Sequence, residues 1–171
     1  MNSSTVTTPA DDPVIIIERL FDAPRALVFK VFTDPFHLAQ FWGPHGSTNP
    51  VCEMDVRPGG LWRQVMRFPN GTEYAYDSAY IEIVEPERIV YRDVPLGSEA
   101  SENLPPPQMI TPITFEDVGG RTKLTAHVRA TSITARDKAV QMGFATTVAQ
   151  GNERLAAYLA TLQGQSAADG R

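Results

Sequence analysis

Proton transfer, nucleophilic attack and metal binding call first on histidine, cysteine and paired carboxylates. The sequence offers three histidines and one cysteine. His37 and His45 precede Cys52 and Asp55, but no pair among them has zinc-motif spacing, so no metal site is expected. His127 shares strand parity with Thr125 and Arg129, opposite Leu124, Ala126 and Val128, which points it to solvent. Glu82, Glu85 and Glu87 lie within reach of Arg88 and Arg92 and read as cross-strand ion pairs. Asp55, Arg57, Arg63 and Arg67 alternate with apolar neighbours as an exposed charge ladder. The chain contains no G-x-S-x-G elbow, phosphate loop, H-E-x-x-H or dinucleotide fingerprint, and no cofactor is expected. Any catalysis would have to rest on the lining of a pocket.

The chemistry that remains is recognition. Along residues 60–68, Trp62, Gln64, Met66 and Phe68 share one face of a strand, and Leu61, Arg63, Val65 and Arg67 share the other. The first face is the better inward candidate. Gln64 on it would be an amide among apolar walls, which must find a protein or ligand partner. Tyr74, Tyr76, Ser78 and Tyr80 share a parity in the next strand, as do Ile89, Tyr91 and Asp93 in the one after. An inward tyrosine brings an apolar ring and a hydroxyl that orients a ligand. Met142, Thr146 and Gln150 are the expected contribution of a C-terminal helix, with Phe115 and Trp42 closing the ends. The candidate ligand-binding set is therefore Trp42, Trp62, Gln64, Met66, Tyr76, Tyr91, Phe115, Met142 and Thr146. No catalytic residue stands out.

These residues need elements to hold them. Residues 14–22 are β-branched and apolar and form a first strand. Pro24 opens an amphipathic helix to about residue 33, and Asp34-Pro35 starts a second short helix that ends at Gly43-Pro44. Six further strands follow near 50–57, 60–68, 73–84, 88–94, 110–117 and 121–130, punctuated by Pro-Gly and Asn-Gly turns. Residues 95–109 form a long polar, proline-rich loop. Beyond residue 131 one long helix is expected, capped by Ser132 or Thr134, with Met142, Ala145, Ala149, Asn152, Ala156 and Leu159 along one face. Gly143 and Gly151 inside it each cost about 1 kcal/mol relative to alanine, which implies close backbone packing or room for a ligand. The result is an α+β domain: a seven-stranded antiparallel sheet, two short helices between its first two strands, and one helix across its concave side.

The stretches FDAPRALVFKVFTDPFHLAQFWGP, MDVRPGGLWRQVM, PNGTEYAYDSAYIEIVEPERIVY, TFEDVGGRTKLT and MGFATTVAQGNERLAAYL, in this order, resemble the SRPBCC (START-like, helix-grip) superfamily. Within it they are similar to the group related to the C-terminal domain of the activator of heat-shock protein 90 ATPase. The resemblance spans about residues 14–162. It implies a helix-grip fold, whose sheet wraps the long C-terminal helix around a deep, mostly apolar pocket. It does not imply one activity, because relatives include lipid carriers, hormone receptors, polyketide cyclases and co-chaperone domains.

Length and composition are those of one soluble domain, placed at residues 13–163 between disordered tails at 1–12 and 164–171. No run approaches the ~18 apolar residues of a membrane span. The Ser/Thr-rich start lacks the features of a signal peptide, and a cytoplasmic location is expected. A net charge of -5 with scattered basic residues argues against nucleic acid. A homodimer is compatible with a domain of this size. The favoured reading is a binding module for a small hydrophobic or aromatic molecule. The alternatives are a cyclase- or dehydratase-like enzyme acting on a polyketide-like chain, and a stress-related interaction protein that meets a chaperone ATPase.

Overall fold

The computed structural model describes residues 3–99 and 104–169, with side chains as far as residue 165. The strands are β1 (Thr5–Thr7), β2 (Val14–Phe21), β3 (Thr48–Met54), β4 (Leu61–Arg67), β5 (Glu73–Val84), β6 (Arg88–Val94), β7 (Met109–Val118) and β8 (Arg121–Ala130). They form one antiparallel sheet in the order β1-β2-β8-β7-β6-β5-β4-β3. Helices α1 (Arg25–Thr33) and α2 (Pro35–Phe41) lie between β2 and β3, and α3 (Ile133–Gln141) and α4 (Phe144–Asp169) follow the sheet. This is the helix-grip architecture, with eight strands in place of the seven expected.

The added strand is β1, in the segment expected to be a disordered tail. Its β-branched residues pair with the edge of β2 (Thr5 with Glu18, Val6 with Ile17, Thr7 with Ile16), a contact that Ser/Thr-rich composition does not reveal. The buried Arg136 of α3 fastens the next segment by donating to the carbonyl oxygens of Pro9, Asp12 and Val14. At the other end α4 runs through residues 164–169, also expected to be disordered, because Gln165, Ala167 and Ala168 are good helix formers and nothing stops the helix at Gly164. Residues 1–2 and 170–171 of those tails, and 100–103 of the long loop, lie outside the described residues.

The expected single C-terminal helix is two. Ser132 caps α3 by accepting from the Ala135 amide. Gly143 then takes φ +90°, a conformation open to glycine and strained for other residues, and α4 restarts at Phe144. Gly151 stays helical, and a Cβ on it would lie 3.5 Å from the Gly43 carbonyl oxygen, so α4 approaches the backbone after α2 closely there.

Side-chain size divides α4. Its C-terminal half carries Leu155, Tyr158, Leu159 and Leu162, which pack with Phe21, Phe29, Phe32, Phe41 and Phe115 in the main core. Its N-terminal half carries Ala145, Thr147, Val148, Ala149 and Gly151, and only a small cluster of Ile15, Ile17, Val128 and Ala145 forms there. Small residues on the helix opposite a curved sheet leave volume unfilled between the two clusters.

A cavity between the sheet and the last helix

That volume is a cavity of about 310 Å³. Its sheet wall comes from β2 and β4 to β8, its roof from Phe144, Thr147, Val148, Gly151 and Asn152 of α4, and one end from Phe32, Phe41, Trp42 and Gly43. Strand parity explains the wall. Trp62, Gln64 and Met66 alternate inward on β4, which pairs with β5 without a bulge, so Ser78 lies opposite Trp62 and Tyr76 opposite Gln64. The one irregularity on β5 falls between Tyr80 and Glu82, beyond the lining residues.

Of the nine residues expected at the site, Trp42, Trp62, Met66, Tyr76 and Tyr91 line the cavity. The other four do not. Gln64 is inward and buried, but it is consumed by protein: its Oε1 accepts from the Trp62 indole at 2.8 Å and its Nε2 donates to Asn49 Oδ1 at 2.7 Å. It braces Trp62. Phe115 packs edge-on against Phe29 and Phe32 and belongs to the core beneath α1. Met142 is 78% exposed at the end of α3, and Thr146 is exposed on α4. Met142 misses the cavity because the Gly143 break leaves it at the end of α3, and Thr146 because it lies off the stripe of α4 that carries Ala145 and Asn152.

Sequence reasoning missed Asn152, Thr147 and Val148 as lining, and Thr111 of β7. Ser78 and Asp93 were legible, since strand parity already placed them beside Tyr76 and Tyr91.

The aromatic wall is self-supporting. Trp42 meets Trp62 at 4.9 Å between ring centroids, Trp62 meets Tyr91 edge-on at 5.1 Å, and Trp62 stacks on Tyr80 at 6.0 Å. The Trp42 indole donates to the Tyr76 hydroxyl at 2.6 Å, which leaves the Tyr76 proton free to donate. Arg154 of α4 fixes the segment that carries Trp42: its guanidinium donates to the carbonyl oxygens of Gln40, Trp42, Gly43, Pro44 and Ser47 and to Ser47 Oγ. Burial holds its pKa below the ordinary arginine value.

Burial also governs the acids of the wall. Desolvation pushes Tyr91 up to about 12, partly offset by its hydrogen bond with Thr111, and raises Tyr76 further, partly offset by the Trp42 indole. Tyr80 is raised by burial and by neighbouring acidic groups, and the Cys52 thiol is pushed up to about 11. At neutral pH the cavity thus presents un-ionised phenols, which donate hydrogen bonds and do not act as bases. Among the described residues Asp93 is the single carboxylate in the lining. Among the described residues no cluster of three His, Cys, Asp or Glu could hold a metal ion.

The remaining candidates serve structure. His37 hydrogen-bonds the Tyr158 hydroxyl, and His45 pairs with Glu153 at 2.6 Å, so both tie the α2 region to α4. Glu82 pairs with Arg88, Asp55 with Arg57, and Glu73 with Arg67. Among the described residues no helix is long and apolar enough to cross a membrane.

Solved structures share this fold. A Nitrosomonas europaea protein matches with TM-score 0.80 at 20% identity, covering 92% of this chain and 99% of its own. A Mycobacterium smegmatis protein matches with TM-score 0.80 at 24% identity, covering 93% and 99%. CalU16 from Micromonospora echinospora matches with TM-score 0.60 at 16% identity, covering 96% and 90%. At these identities the likeness is one of fold. No curated protein matches the chain significantly. Residues 22–162 match the model for Activator of Hsp90 ATPase homolog 1-like protein, and the chain belongs to that family.

Proposed function

We propose that this chain is a cytoplasmic protein that binds a small apolar or aromatic molecule between the sheet and α4, without a cofactor. The observation that carries the reading is the cavity itself: about 310 Å³, walled by Trp42, Trp62, Met66, Tyr76 and Tyr91, with one charged side chain in its lining. Ligand sites run from roughly 300 to 1,000 Å³, so this one suits a compact molecule of two or three rings better than an extended polyketide chain. Tyr76 and Tyr91 supply hydroxyls for orientation, and Trp62, braced by Gln64, supplies shape.

The alternative of a cyclase or dehydratase needs a proton carrier poised near neutral pH. The phenols hold their protons well above that range, and Asp93 has no second acid or base beside it in the lining. Binding is the simpler use of these groups.

Titration with the neutral dye N-phenyl-1-naphthylamine tests the reading. The native protein is expected to bind it with enhanced dye fluorescence. Val148→Trp, which fills the roof, and a Trp62→Ala/Met66→Ala double variant, which removes the wall, should each weaken binding at least ~10-fold, equivalent to about 1.4 kcal/mol. Equal affinity across the three proteins, with unchanged far-UV circular dichroism, would overturn it.

A further inference from the structure

The cavity is not uniformly apolar, and its one charge has a defined geometry. Asp93 stands directly across from Ser78 in the β5–β6 pairing, on the inward face that also carries Tyr91. Its Oδ1 accepts the backbone amides of Gln108 at 2.8 Å and Met109 at 2.7 Å, which holds the start of β7 in place. No donor among the described residues reaches its second oxygen, Oδ2. Among the described residues no lysine, arginine or histidine lines the cavity to neutralise it.

A half-buried carboxylate in the lining of an apolar cavity sets terms for what enters. An apolar ligand that expels water from Oδ2 without replacing its hydrogen bonds meets a large desolvation cost. An anionic ligand adds charge repulsion in a site of low polarity, where such repulsion is strong. A ligand with a cationic nitrogen meets neither, because it restores a charge-assisted hydrogen bond.

From this geometry we infer that the cavity selects an apolar amine, its ring system against Trp62 and α4 and its protonated nitrogen on Asp93 Oδ2, and discriminates against apolar carboxylates. The inference rests on the ligand-binding reading of the same cavity and assigns the class of ligand. Ser78 offers a second acceptor for the ammonium group on the adjacent strand.

A matched series isolates the charge: 1-naphthylmethylamine, 1-naphthylmethanol and 1-naphthoate, titrated at pH 7 by calorimetry and by quenching of Trp42 and Trp62. On the native protein the amine is expected to bind at least ~10-fold more tightly than the carboxylate, with the alcohol between them. In Asp93→Asn, which keeps an acceptor for the Gln108 and Met109 amides, the amine should lose most of that margin and the alcohol should change little. Equal binding of amine and carboxylate to the native protein overturns the inference, as does an amine preference that survives Asp93→Asn. If that variant fails to fold, the native comparison decides alone. Failure of N-phenyl-1-naphthylamine and all three probes to bind overturns the ligand-binding reading itself. Dye binding without amine selectivity overturns only the assignment of ligand class.

Discussion

Two tyrosines of the same strand face make opposite contributions. The Tyr76 hydroxyl accepts the Trp42 indole, whereas the Tyr80 hydroxyl, on a residue 3% exposed, is buried with no hydrogen-bond partner among the described residues. Removing a bonded acceptor leaves the half-buried Trp42 donor stranded, at a cost of about 1 kcal/mol, toward the low end of the roughly 1–3 kcal/mol range for buried groups, while removing an unpaired buried hydroxyl relieves such a cost. Tyr76→Phe should therefore destabilise the fold by that amount, and Tyr80→Phe should be neutral or stabilising. Urea denaturation of the two variants beside the native protein checks the pair; a loss of more than about 1 kcal/mol in Tyr80→Phe would contradict the account. Gln64 illustrates how far residue-level reading reaches. Its burial and its need for a partner were legible from the parity of residues 60–68, but its partners were not, because Asn49 lies on another strand and the Trp62 indole could equally have faced a ligand.

At the level of elements, two glycines of the C-terminal region look alike in sequence and differ in role. Gly143 has open space where a Cβ would stand, but its φ of +90° disfavours any side chain. Gly151 is helical, and its nearest contact would be an ordinary 3.5 Å. Gly143→Ala should cost about 1 kcal/mol or more through backbone strain, and Gly151→Ala should be neutral or gain up to about 1 kcal/mol of helix propensity. Thermal melts of both variants test the division, and a stabilising Gly143→Ala would show that α3 and α4 can run on as one helix. This break is why Met142, expected on the helical side of the site, lies outside the cavity. Within α4, Ala145, Asn152 and Leu159 turn inward as their periodicity implied, but Met142 belongs to the preceding helix and Thr146 lies off the inward stripe. Period-2 alternation survived on β4 because nothing interrupts it, and period-3.6 reasoning failed where a positive φ intervened.

Across the whole molecule, the strands of the meander were readable from turn residues and alternation, and only β1 escaped, because a three-residue edge strand has too little pattern to stand out. The cavity was readable less directly: aromatic parity showed its wall, but its volume follows from small residues on α4 meeting the sheet, a tertiary fact. That enclosure has a consequence for stability. Cys52, Tyr76, Tyr80 and Tyr91 all sit at or beside the cavity wall, and burial raises the pKa of each. An acid whose folded pKa exceeds its unfolded value keeps its proton while the unfolded chain releases it, so the unfolded state binds fewer protons and stability falls as pH rises. Cys52, raised from the ordinary thiol value of 9.0 to about 11, begins the decline near pH 9, and Tyr91, raised from 10.0 to about 12, continues it. Below about pH 8 these groups are protonated in both states and contribute almost no slope. Urea unfolding free energies at pH 7, 8, 9.5, 10.5 and 11.5 should therefore be level between pH 7 and 8, begin to fall by pH 9.5, and above that fall by more than about 1.4 kcal/mol per pH unit, the most that one such proton supplies. Absorbance at 295 nm of a Tyr74→Phe/Tyr158→Phe variant, which removes the exposed Tyr74 and the half-buried Tyr158 and keeps the three tyrosines of the wall, should show tyrosinate appearing with loss of structure and not ahead of it. A slope no steeper than one proton's, or tyrosinate forming near pH 10 while that variant is still folded, would mean that the wall is wetter than its packing indicates.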